Sequence, residues 1–102
     1  MSDIAQAQKA LFERILAGPG SASQAQRRAA FDDTGLEGPL KIFVDEVANK
    51  ASAISDADMT AVLASGTTED QAFEIAICAA AGAATRQYET ALAALNAAAK
   101  ST

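Results

Sequence analysis

Residues 79–89 read Ala79-Ala80-Ala81-Gly82-Ala83-Ala84-Thr85-Arg86-Gln87-Tyr88-Glu89: six small residues in a row, then an arginine and a glutamate three apart. Side chains without bulk let backbones approach closely. From Thr68 to Lys100 nothing but Gly82 interrupts a helical reading. One unbroken helix of about 33 residues would span roughly 50 Å, against a radius of gyration of about 13 Å for a compact domain of this length. Either the helix projects into a partner, or the chain folds back. Gly82 can supply the left-handed residue that ends a helix, and Thr85 can cap the next one. The expectation is therefore a C-terminal helical hairpin broken near Gly82.

Moving outward, the remaining segments also read as helix. Ile4, Ala7, Ala10, Leu11, Ile15 and Leu16 keep helical spacing up to the stop at Gly18-Pro19-Gly20. Ser21 with Gln24 fits a capping box opening a second helix through Phe31, which Asp32-Asp33-Thr34-Gly35 breaks. Pro39 stands at a first helical position, and Leu40, Phe43, Val44 and Val47 form an apolar face continuing towards Ala51 or Ala53. Ser55 with Asp58 and Thr68 with Gln71 are two further capping boxes, and Gly66 separates their helices. No stretch alternates like a strand, and no Asn-Gly or Asp-Gly hairpin turn occurs. The fold class is all-α, with five or six helices and no sheet.

The chain has 102 residues, which is one domain spanning 1–102: N-terminal helices over 1–35 and a core over 36–100. Half of its residues are hydrophobic, but 27 are alanine and only 23 belong to the larger apolar set. A buried Leu or Phe contributes roughly 1.5–3 kcal/mol and alanine much less. So thin a core calls for very close helix packing or for burial against further copies, and a homo-oligomer is expected. The net charge of −5 and the lack of a basic patch argue against nucleic acid. One segment, MTAVLASGTTEDQAFEIA over 59–76, has helix-turn-helix length, yet Glu69, Asp70 and Glu74 on its second helix would repel phosphate. No apolar run suits a membrane span, the start MSDIAQAQKA is unlike a signal peptide, and the single cysteine cannot close an intrachain disulfide. These features point to the cytoplasm.

The chain contains no histidine, which removes Ser-His-Asp and Cys-His chemistry and the usual zinc sites. Asp56-Ala57-Asp58 lacks the glycine and glutamate of a calcium loop and reads as a helix start. No phosphate-binding glycine motif occurs, so neither a cofactor nor a metal is expected. Cys78, between Ile77 and Ala79, reads as a buried, inert thiol. Glu74 is placed inside the apolar stretch Phe73-Glu74-Ile75-Ala76-Ile77, so it faces solvent or, if half-buried, needs a partner. Arg86 and Glu89 form an i,i+3 pair.

TTEDQAFEIAICAAAGAATRQYETALAAL (67–95), with VDEVANKASAISDADMTAVLASG (44–66) upstream, resembles the last helices of the carboxymuconolactone decarboxylase and alkylhydroperoxidase D-like family. The resemblance spans roughly positions 36 to 100 and implies a bundle of that family's kind. There a helix carries a functional glutamate, an alanine-rich run follows, then Cys-x-x-Cys and a trailing histidine. Glu74 matches the glutamate. Arg86 and Glu89 stand where the cysteines would be, and Ala93 where the histidine would be, so dithiol peroxide reduction does not carry over. On a fold-back, Glu74 and Arg86 would meet across the hairpin as a relict site.

Two functional readings follow. The chain is a non-enzymatic, oligomeric helical protein acting by association. Alternatively, it is a residual enzyme or small-ligand binder using Glu74 and Arg86, with Glu89 beside them, in an interhelical pocket.

Overall fold

The computed structural model describes residues 2–100, with side chains from residue 6 onward. Met1, Ser101, Thr102 and the side chain of Ile4, from the apolar series of the first helix, lie outside that description. The described residues form five α-helices and no strand: α1 (Ser2–Ala17), α2 (Gln24–Asp32), α3 (Gly38–Asn49), α4 (Asp56–Ala64) and α5 (Glu69–Lys100). A short 3-10 turn, Ala51–Ala53, follows α3.

The helix boundaries follow local chemistry. The Ser55–Asp58 capping box is present at α4. At α5, the Thr68 hydroxyl accepts from the Gln71 N–H at 3.1 Å, and the Gln71 side chain accepts from the Thr68 N–H at 3.0 Å. Pro39 lies in the first turn of α3. Asp33 ends α2 in the left-handed region at φ 54°. The box expected from Ser21 and Gln24 does not form. Ser23 caps α2 instead, accepting from the Gln26 N–H at 3.1 Å. Gln24 turns back to donate to the Ala17 carbonyl at 3.2 Å, closing the end of α1.

The main correction concerns Gly82. The expected hairpin is absent: α5 runs without a break for 32 residues, and Gly82 is buried within it. At 1.5 Å per residue the helix is about 48 Å long, which accounts for the 54 Å long axis of the molecule. A Cβ on Gly82 would fall on the carbonyl of Phe31, so the glycine serves close approach between α5 and the end of α2. Thr85 caps no new helix; its hydroxyl donates to the Ala81 carbonyl one turn back, at 2.8 Å.

The core gathers on the first half of α5. Ala72, Ile75, Cys78 and Ala79 pack with Ala22 and Ala30, with Leu40, Phe43 and Val44 of α3, and with Val62 of α4. Ile15 and Leu16 of α1 and Phe31 of α2 lean against this cluster. From Arg86 to Lys100 every residue of α5 is exposed. The second half of the helix is thus mostly overhang, met by the rest of the described chain only near its start, from Arg86 to Thr90.

Candidate functional site: the two termini held by α5 and its outer face

Glu74 and Arg86 lie on one straight helix, twelve residues and so about 18 Å apart. They do not meet, and each is committed to a different neighbour. Glu74 receives the loop between α1 and α2. The Ser21 N–H donates to both carboxylate oxygens, at 2.9 and 2.8 Å, and the Ala22 N–H donates to Oε2 at 3.1 Å. Gln71, one turn earlier, donates to the Ser21 carbonyl at 3.2 Å. A Cβ on Gly20 would strike the Glu74 carboxylate, so the loop must be narrow where it crosses.

Arg86 serves the other end of α2. Its Nη1 donates to the Phe31 carbonyl at 2.6 Å. The last carbonyls of a helix lack intrahelical donors and carry the negative end of its dipole, so a guanidinium there is favourable. Arg86 makes no ion pair with Glu89 among the described residues. Glu89 is exposed instead, on the rim of a groove of about 420 Å³ between α1, α2 and α5. Phe12, Leu16, Phe31 and Tyr88 line that groove, and Lys9 and Arg28 balance Glu13 and Glu89 around it. Phe12 meets the edge of Phe31 with ring centres 5.6 Å apart, and the Arg28 guanidinium lies 5.7 Å from the Phe31 ring centre. The charged groups around the groove all face solvent.

Arg27 is the residue that sequence reasoning missed. It is 4% exposed and donates from Nη1 to the Ile15 carbonyl at 3.0 Å. The same carbonyl has the Cys78 sulfur at 3.8 Å. Arg27 forms no ion pair with a carboxylate among the described residues, and its Nε has no hydrogen-bond partner. Its compensation comes from the C-terminal end of α1, whose unpaired carbonyls present partial negative charge. Nothing local to the Arg27-Arg28 dipeptide tells which of the two is buried. Cys78 is fully buried, and burial pushes its thiol above the ordinary cysteine range.

Asp33, just past α2, and Asp45 of α3 are neighbouring carboxyls, and sharing a proton between them raises the Asp33 carboxyl and lowers that of Asp45. Lys41 donates to Asp45 at 2.9 Å. Among the described residues no three of His, Cys, Asp or Glu gather where they could share a metal ion, and no helix is long and apolar enough to cross a membrane.

The outer face of α5, opposite the core, is unusual in another way. Successive exposed positions along it are Phe73, Ile77, Ala80, Ala84, Tyr88, Ala91 and Leu95, with Tyr88 at the edge that this face shares with the groove beside α1 and α2. Phe73 is 68% exposed, Tyr88 61% and Leu95 67%. No charged residue stands in this stripe between Asp70 and Lys100. Solvent-facing helix surfaces are ordinarily polar, and this one is not.

No family model, no curated protein and no solved structure matches the chain.

Proposed function

We propose that the protein acts by association: a non-enzymatic helical module that assembles with further copies of itself through α5. The observation that carries the reading is the uncharged outer face of α5, apolar and exposed from Phe73 to Leu95. Exposed apolar surface of this extent marks an interaction site. The thin core agrees with it, since 27 alanines leave few large groups to bury within one chain. The commitment of Glu74 to the α1–α2 loop and of Arg86 to α2 weighs against a pocket built on that pair. The resemblance to the carboxymuconolactone decarboxylase and alkylhydroperoxidase D-like family enters as a proposal of kinship in fold, without its dithiol chemistry.

Sedimentation of the full chain across the micromolar range tests the reading. The expected result is a mass above 10.4 kDa, falling towards it on dilution and in Leu95→Asp. A single species of 10.4 kDa at every concentration would overturn it.

A further inference from the structure

The outer stripe of α5 has an internal symmetry that specifies its partner. Counted from Ala84, the positions four residues away are Ala80 and Tyr88, those seven away are Ile77 and Ala91, and those eleven away are Phe73 and Leu95. The spacing is therefore the same read in either direction along the helix. We infer that α5 pairs with α5 of a second copy in antiparallel orientation, about a two-fold axis at Ala84. This rests on the association reading above and assigns its geometry.

Four observations support a second copy as the occupant. Shape comes first. In this register Tyr88 of one copy faces Ala80 of the other, and Ile77 faces Ala91, so bulk meets a small residue at both steps. Ala84 meets Ala84 at the axis, where nothing larger would allow close approach, and Phe73 packs on Leu95 at each end. A parallel pair would instead stack Phe73 on Phe73 and Tyr88 on Tyr88.

Charge agrees. The acidic first turn of α5, Glu69 and Asp70, comes beside the last turn, which carries Lys100. Antiparallel alignment also opposes the two helix dipoles, whereas parallel alignment would bring the acidic turns together.

Periodicity agrees too. Phe73, Ala84 and Leu95 repeat every eleven residues, as do Ile77 with Tyr88 and Ala80 with Ala91. Eleven residues make three turns at about 3.67 per turn, close to the natural helix, so the stripe stays in line along nearly the whole of α5.

The last argument is area. The stripe from Phe73 to Leu95 is about 33 Å long and a helix diameter of about 10 Å wide, roughly 330 Å² in projection, and the flanking turns of α5 extend this to roughly 500 Å². Side-chain relief raises it towards the roughly 800 Å² per partner of a stable interface. The arrangement also places each overhang, from residue 86 onward, along the core-anchored half of the partner's helix. The two cores then lie on opposite sides of the paired helices and do not collide.

Three measurements test the geometry. Wild type sediments as two chains of 10.4 kDa, and Ala84→Arg, which brings two guanidinium groups together at the axis, sediments as one chain with its helical circular dichroism kept. In a thiol–disulfide buffer, Ala80→Cys and Tyr88→Cys proteins each stay uncrosslinked when alone and crosslink when mixed. Crosslinking of either variant with itself would show parallel pairing and overturn this inference while leaving association intact. So would a two-chain mass for Ala84→Arg. A one-chain mass for wild type would overturn both proposals.

Discussion

Glu74 takes three hydrogen bonds from two backbone N–H groups that lie more than fifty residues away in the chain. Hydrogen bonds to a charged group contribute about 1.5–3 kcal/mol each at most, and exposure of the loop reduces this. Glu74→Ala should therefore lose about 1–3 kcal/mol in urea denaturation, and Glu74→Gln, which keeps one acceptor oxygen, should lose less. Arg86→Ala should lose about 1 kcal/mol, the scale of a helix-terminus charge, measured the same way. The Asp33–Asp45 pair makes a pH prediction. The raised Asp33 carboxyl contributes stability that is present below its ordinary value of 3.8 and is lost as pH rises through its folded-state value. The lowered Asp45 carboxyl contributes stability that is present above 3.8 and is lost as pH falls through its folded-state value. The singly protonated pair is thus favoured in a window around 3.8. At neutral pH two like charges adjoin there, so Asp33→Asn, which tolerates the left-handed backbone and offers an N–H to Asp45, should gain roughly 0.5 kcal/mol. Its stability profile between pH 3 and 5, followed by thermal melts, should flatten. None of these partners was legible in the sequence. A glutamate in an apolar stretch shows that it needs a partner, but the partner here is the backbone of a remote loop.

At the scale of the helix, Gly82 shows why local signals read two of the three capping boxes correctly and the last helix wrongly. Ser55 with Asp58 and Thr68 with Gln71 act within four residues, so their chemistry is complete in the sequence. Gly82 acts on Phe31, across the fold. The same residue type serves a left-handed stop and a close approach, and only the tertiary contact distinguishes them. This yields a prediction of reversed sign. Gly to Ala in a helix interior ordinarily stabilises by about 1 kcal/mol. Here the added Cβ meets the Phe31 carbonyl, and Gly82→Ala should destabilise by about 1–3 kcal/mol, the cost of overpacking. Ala93→Gly, in the exposed overhang, should follow the ordinary rule and lose about 1 kcal/mol of helix stability. Thermal melts of the two variants at one protein concentration give both values.

At the scale of the whole molecule, the all-α architecture was legible, because every segment carries helical spacing and none alternates. The extended shape was not. The radius of gyration of 15.6 Å exceeds the roughly 13 Å of a compact domain this long, because α5 continues some fourteen residues past its last core contact. The Glu74–Arg86 pocket expected from a fold-back went with the hairpin. For activity, the expectation is no turnover of an alkyl hydroperoxide, measured by peroxide consumption. On the kinship in fold proposed above, Arg86 and Glu89 would occupy the positions of that family's dithiol. Cys78-dependent consumption, abolished in Cys78→Ser, would contradict it.

That same sulfur has a use of a different kind. Cys78 is the sole thiol of the chain, it is fully buried, and it lies against the Ile15 carbonyl where the last turns of α1 cross α5. A labelling reagent can reach it only when the packing around it opens, so the native protein carries a single, site-specific clock for that opening. At neutral pH the rate at which one equivalent of reagent is consumed reports the population of the opened form. Comparing that rate with global unfolding shows whether that packing opens locally or only when the whole fold gives way.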